Sequence, residues 1–267
     1  MSNRPDPATV AATMQQVRDK APLVHCLTNI VVANVTANGL LAVGASPAMV
    51  ENADESAAFA EVAGAVLVNL GTLSRERAEA MRAAASSAAG AGTPWVLDPV
   101  AVGALGHRTS LAADLLAHRP DVVRGNPAEV LGLAGAGGAG RGVDSTVGPE
   151  AALEAATAIA RSTGGVVAVS GAVDRVTDGD TVVDVPTGDP MLTRVTGTGC
   201  LLGGLVAACL GAGASPLDAA VAATVALTVA AEEALPGTRG PGSFAVALID
   251  ELARLDAATI ARRLAAR

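Results

Sequence analysis

Apolar runs of strand length alternate with alanine-rich stretches of helical period along most of the chain. The runs are PLVHCLTNI, PAMVE, AVLVNLG, PWVLDP, DVVRGN and GVVAVSG, rich in Val and Leu and mostly closed by Gly, Pro, Asn or Asp. Several lack a polar residue at every second position, the pattern of strands buried on both faces. Helical stretches separate most of them, at 34–43, 56–62, 74–89, 111–117, 128–133 and 150–161. This rhythm predicts an α/β fold: a mostly parallel sheet with helices on both faces.

The rhythm changes after GVVAVSG. Residues 174–186, DRVTDGDTVVDVP, read as an antiparallel hairpin turning at Asp178-Gly179. MLTRV then reads as a strand closing at Arg194-Val195, followed by a Gly-Thr-Gly turn and three closing helices. No linker or internal repeat divides residues 1–267, which predicts a single domain. AGAGGAGRG, residues 134–142, reads as a flexible surface loop. Its Gly135, Gly137 and Gly140 match G-x-G-x-x-G, but a helical stretch precedes them and no helix follows at once. A dinucleotide fingerprint needs a strand before and a helix after.

The turn TGTGC holds the most specific local chemistry. Gly197 and Gly199 allow a sharp turn, and the helix that follows has first-turn amides without internal partners. With the positive end of the helix dipole, those amides form an anion site suited to a phosphoryl group in transfer. Cys200 sits in that first turn, where a lowered thiol pKa is expected. The competing reading is a small packing residue behind a tight turn. Cys26 and Cys209 read as core.

Composition narrows the classes. The chain is 51% hydrophobic but only 1% aromatic, with no Tyr and one Trp, so its core is Ala, Val and Leu. The net charge of -8 and the lack of a basic run exclude a nucleic-acid binder. Three cysteines without a CxxC pair indicate neither a disulfide framework nor a zinc site. The polar start MSNRPDPATV is not a signal peptide. GASPLD at 213–218 cuts the apolar stretch 201–231 into pieces of about 13 residues, roughly 20 Å as helix and too short for a bilayer. A cytoplasmic protein without membrane contact is expected. Lys20 is the only lysine, which excludes a Walker A loop and the protein-kinase fold.

Other candidates follow from position. Asp98, in VLDPVAVGA, ends a strand where open α/β sheets place ligands, and its chemistry suits Mg²⁺ or ordered water. Asn126 and Glu129, in RGNPAEV, have the spacing of a capping box. Arg124 precedes that turn, and a surface ion pair is its plainest role. Ser170 ends the strand VAVSG.

VTGTGCLL resembles the equivalent turn of the hydroxyethylthiazole kinases, a thiamine-salvage branch of the ribokinase-like superfamily. Most of that superfamily has Gly-Ala-Gly-Asp there, and the thiazole kinases carry Cys in place of Asp. The segment PLVHCLTNIVVANVTANGLLAVGASPAMVENADE, then LVNLGTLS, VLDPVAVGA, VVRGNPAEV and GPGSF, is similar to the family in order, so the likeness runs from Pro22 to the end of the chain. It implies a three-layer α/β/α ribokinase-like fold and ATP-dependent phosphorylation of the primary alcohol of 4-methyl-5-(2-hydroxyethyl)thiazole.

The resemblance also implies roles. Gly197, Thr198, Gly199 and Cys200 form the catalytic turn, with Gly197 also on the substrate. Arg124, Asn126 and Ser170, the last in place of the family's usual Thr, hold the nucleotide. Asp98 and Glu129 organise Mg²⁺, largely through water. Asn29 and Met49 line the thiazole side, with Asn34 close by, although turn-forming and core roles also suit them. His25-Cys26 stands where many relatives read His-Asn, and His25 by itself reads as an ordinary strand histidine. Phe244 supports the end of the site. With so few aromatics, aliphatic contacts and backbone hold adenine. A homotrimer with substrate sites between subunits is implied. The alternatives are a related pyrimidine or pyridoxal kinase, an ATP-dependent dehydratase of hydrated nicotinamide cofactors, and a non-catalytic thiazole or nucleotide binder.

Overall fold

The computed structural model describes residues 3–136 and 149–267. Eight strands form one sheet in the order β2-β1-β3-β4-β5-β6-β7-β8. These are β1 (Leu23–Leu27), β2 (Ser46–Ala48), β3 (Ala65–Asn69), β4 (Trp95–Asp98), β5 (Val122–Gly125), β6 (Val166–Val169), β7 (Asp174–Thr177) and β8 (Val182–Val185). β1 to β6 are parallel, and β7 and β8 are the antiparallel edge. The expected hairpin is present, turning at Gly179 with φ +100°.

Each central strand is buried on both faces because alternate residues enter different cores. Ala65 and Leu67 join one core while Val66 and Val68 join the other; Val96 and Val122 divide in the same way from Leu97 and Val123. The first core packs α1 (Pro7–Lys20), α2 (Ala33–Ala42), α8 (Thr198–Gly211), α9 (Pro216–Ala234), α10 (Pro241–Arg254) and α11 (Ala257–Ala265). The second packs α3 (Ala53–Val62), α4 (Arg75–Ala91), α5 (Gly106–Leu116), α6 (Pro127–Ala136) and α7 (Pro149–Thr163). The result is three layers, α/β/α. Every residue from Leu201 to Leu210 of α8 is buried. No described helix is long and apolar enough to cross a membrane.

The structure corrects several expectations. The polar start folds into α1, capped by Asp6, whose side chain accepts Thr9 N–H at 2.9 Å. Its apolar stripe Val10, Met14 and Val17 is buried. MLTRV is no strand: Asp189 caps a 3-10 turn at Pro190–Arg194, with the proline in its first turn, and only Val195 is extended. Four helices rather than three close the chain, because Leu255 leaves helical geometry and Asp256 caps a new start. Helix α6 runs to Ala136, so 134–136 are helical rather than loop. The rest of that expected loop, with Gly137 and Gly140, lies outside the described residues. Phe244 is fully buried in the first core.

Candidate active site

Helix α8 packs against β1, β3, β4 and β5, so its first turn meets the carboxyl ends of the central strands. Gly197 caps it with φ +91°, and a Cβ there would lie 2.7 Å from Val32 Cγ1. Both facts require glycine. Thr198 donates its hydroxyl to the Leu192 carbonyl at 3.0 Å. No side chain caps the helix start, which leaves the first-turn amides available to an anion.

Gly199 has a different reason. A Cβ there would fall 2.6 Å from Arg124 Nη1, so the guanidinium of β5 lies directly against the turn. Arg124 donates Nη2–H to Ser170 Oγ at 2.8 Å, and its Nη1 is 3.7 Å from Asp98 Oδ1. Arg124, Ser170 and the glycine turn, separated in sequence, thus form one electropositive cluster.

Asp98 ends β4 and is fully buried. Its Oδ2 accepts Asn69 Nδ2–H at 2.6 Å, and its Oδ1 has no hydrogen-bond partner. Burial pushes its carboxyl up to about 7; Arg124 and the Asn69 bond pull downward and the Glu129 charge pushes further up. Glu129 and Asn126 form the reciprocal capping box that their spacing predicted: Oε2 accepts Asn126 N–H at 2.8 Å and Asn126 Oδ1 accepts Glu129 N–H at 2.9 Å. The other Glu129 oxygen accepts Ala101 N–H at 3.1 Å.

Cys200 is half-buried beside this group. Burial pushes its thiol up to about 11, and the Asp98 charge adds to the shift. The thiol is thus raised rather than lowered as expected from the helix start: loss of water and the neighbouring Asp98 carboxylate outweigh the Asn69 hydrogen bond and Arg124. Cys26 and Cys209 are fully buried, as their core reading requires.

A cavity of ≈ 550 Å³ opens on the other side of the turn. Thr198, Gly199, Arg124, Asn126 and Ser170 line one part of it, and Thr187, Gly188, Leu192, Leu202 and Leu227 another. The polar part suits phosphate and the aliphatic part a planar base. Met49, Asn29 and Asn34 are not among its lining residues. Asn29 Oδ1 accepts from Val31 N–H and from the Thr72 hydroxyl at 2.6 Å, tying the end of β1 to the loop after β3. The loop after β1 approaches Gly197 through Val32. Met49 packs, half-buried, on the first core, and Asn34 is exposed. His25 Nε2 lies 2.7 Å from the Val50 carbonyl oxygen, which only accepts, so this nitrogen carries the proton.

Three residues of the site are additional to those the sequence singled out. Asn69 pairs in register with Asp98 and holds its side chain; the signal was an amide ending an apolar strand. Asp174 lines the cavity, accepts Gly171 N–H at 2.7 Å and is pushed by burial to about 6. Thr187 lines it too and shares a 2.7 Å hydroxyl bond with Thr228 of α9.

The sequence profile of the hydroxyethylthiazole kinase family matches residues 14–258. A hydroxyethylthiazole kinase of Kineococcus radiotolerans is 58% identical over 253 residues, covering 95% of this chain and 92% of that protein. The solved hydroxyethylthiazole kinase of Pyrococcus horikoshii superposes with a TM-score of 0.89 at 39% identity, covering 95% and 96% of the two chains. The pyridoxal kinase of Bacillus subtilis, solved with ADP, shares only the fold, with a TM-score of 0.59 at 18% identity. With the profile spanning nearly the whole chain and such relatives on either side of it, this chain belongs to the hydroxyethylthiazole kinase family.

Proposed function

We propose that the chain transfers the γ-phosphoryl group of ATP to the hydroxyethyl oxygen of the thiazole, as the names of its relatives describe for them. The observation that carries this reading is the α8 turn itself. It stands between the 550 Å³ cavity and the Cys200–Asp98–Asn69 group. The nucleotide occupies the cavity, with Arg124, Ser170 and Asn126 on its phosphates and Leu192, Leu202 and Leu227 against the base. The thiazole occupies the side of the turn nearer Asn29 and Met49.

The turn amides and the Arg124 fork stabilise charge on the moving phosphoryl group. Cys200, a neutral thiol at pH 7, orients the alcohol rather than ionising first. A loose transition state removes the alcohol proton only after most of the new bond has formed, so no strong base is required. Asp98 fits a divalent cation, because its Oδ1 is a buried carboxylate oxygen without a hydrogen-bond partner and Glu129 is near. Asp98 and Glu129 would hold the ion largely through its own waters. When bound, Mg²⁺ supplies neutralisation of phosphate charge.

Self-association, as a homotrimer with sites between subunits, is part of the proposal, as is a cytoplasmic location. Ile30, Val31, Leu41 and Val246 expose 66%, 68%, 59% and 65% of their surface on the loop after β1, on α2 and on α10. Apolar surface of this kind favours a partner. Incubation of the chain with ATP, Mg²⁺ and the thiazole alcohol, followed by mass spectrometry, tests the activity. The thiazole monophosphate and ADP are expected in equal amounts; a substrate panel in which only a pyrimidine or pyridoxal alcohol is phosphorylated would sink the thiazole assignment.

A further inference from the structure

Outside the turn and its carboxylates, one ionic cluster reaches the cavity wall. Glu232, near the end of α9, is 6% exposed. Its Oε1 accepts the backbone N–H of Gly188 at 2.9 Å and Arg267 Nη2–H at 2.6 Å. Its Oε2 lies 3.4 Å from Arg263 Nη1. Gly188 lines the cavity beside Thr187 and Asp189. It has φ +118°, and a Cβ there would meet Thr228 Cγ2 at 3.2 Å. The segment is therefore backbone laid closely on α9, with only two side-chain ties to that helix: Thr187 to Thr228 and Gly188 to Glu232.

We propose that Glu232, held by Arg263 and Arg267 beyond the start of α11, is a positioning residue for the nucleotide side of the site. This rests on the reading of the cavity as the ATP site. A buried carboxylate is retained at low cost only when fully paired, and here two arginines and one amide satisfy it. The amide belongs to a glycine in the left-handed region, seated closely against Thr228. Release of Glu232 lets the 187–189 wall lift from α9 and enlarges the aliphatic part of the cavity. The hydrogen bonds and ion pairs of Glu232 go to Gly188, Arg263 and Arg267 and not to the α8 turn, so the effect falls on nucleotide affinity.

The test compares Glu232→Ala, Glu232→Gln and the double variant Arg263→Gln/Arg267→Gln with the unmodified chain. It reads KM for ATP, KM for the thiazole alcohol, Kd for ADP by titration calorimetry, and Tm. Glu232→Ala is expected to raise KM for ATP and Kd for ADP about tenfold while leaving the thiazole KM within twofold. Glu232→Gln keeps an oxygen for the Gly188 amide and should restore ATP affinity to within about threefold. The arginine double variant should raise ADP Kd about threefold. A lower Tm with ATP and ADP affinity unchanged overturns the proposal, as do equal rises in both KM values. If Glu232→Ala does not fold, the double variant decides alone: unchanged ADP affinity overturns it. ADP binding by the unmodified chain without thiazole phosphorylation would refute the proposed function and still leave Glu232 testable through Kd.

Discussion

Asn69 and Asp98 lie opposite each other on β3 and β4, and the Asn69 amide donates to Asp98 Oδ2 at 2.6 Å. The same Asn69 accepts Gly71 N–H at 2.9 Å through its own oxygen, so its amide cannot flip without losing both bonds. Asp98 is thereby fixed with one oxygen occupied and the other directed toward Arg124. Asn69→Ala leaves a fully buried carboxylate short of a donor. It should cost about 1–3 kcal/mol of stability, the range for stranding a buried polar group, and lower kcat at least tenfold. Urea unfolding and steady-state kinetics check both.

The glycine turn makes a sharper prediction. Gly199→Ala places a methyl where the Arg124 guanidinium now rests, and that side chain must move. The fold should survive because the displaced atoms are the end of a flexible side chain. ATP KM should rise about tenfold, the value of one charge-assisted phosphate contact, with thiazole KM little changed. An unaltered ATP KM would separate Arg124 from the nucleotide.

Cys200 is expected to behave as a sluggish thiol. Its pKa near 11 means that iodoacetamide should label it slowly at pH 7.5 and faster with rising pH through 9 and 10. Peptide mass spectrometry distinguishes it from buried Cys26 and Cys209. Cys200→Ala should lower kcat about ten- to a hundredfold, below the roughly 10²–10⁴ of a group that takes the proton, because the thiol only orients the alcohol, while Tm and ADP affinity hold. Labelling at the rate of a free thiolate at pH 7 would contradict the neutral-thiol role.

Stability of the ligand-free protein should carry the signature of its raised carboxyls, Asp98, Asp174 and Asp121. Asp98 at about 7 and Asp174 at about 6 compare with 3.8 for an ordinary Asp. Between those values the folded chain holds protons on these carboxyls that the unfolded chain has released, so their contribution to stability falls as pH rises from about 4 to about 7, against an opposite contribution from His25, whose ring burial holds below its ordinary 6.5. Asp98→Asn should remove the decline between pH 6 and 7, above the Asp174 range. Calorimetric Tm values from pH 5 to 8, without nucleotide or metal, give the comparison. Parallel curves for the two proteins would exclude a raised Asp98.

The strand pattern was legible because β3, β4 and β6 are fully buried, and such strands read as unbroken apolar runs. The glycine turn was legible because α8 can start there only with Gly197. Helix α1 was missed although Asp6, Pro7 and the Val10–Met14–Val17 stripe announce it, since its exposed face is polar enough to hide the period. Asn69 showed only as an amide ending an apolar strand, and Asp174 and Glu232 gave no local signal. Asn69 acts through Asp98 and Glu232 through Gly188, partners far along the chain, and Asp174 matters only because the fold brings it to the cavity; local pattern carries none of this. The Cys200 thiol was misjudged for the same reason: the helix start is local, whereas the burial and the Asp98 charge that outweigh it are tertiary.

The most direct measurement is a crystal structure of the chain with a non-hydrolysable ATP analogue, Mg²⁺ and the thiazole alcohol. The terminal phosphorus is expected against the Gly197–Cys200 amides, with Arg124 on its oxygens and the alcohol oxygen next to Cys200, in line with the bond to be broken. A terminal phosphate seated away from that turn, or a thiazole remote from Cys200, would contradict phosphoryl transfer at this site.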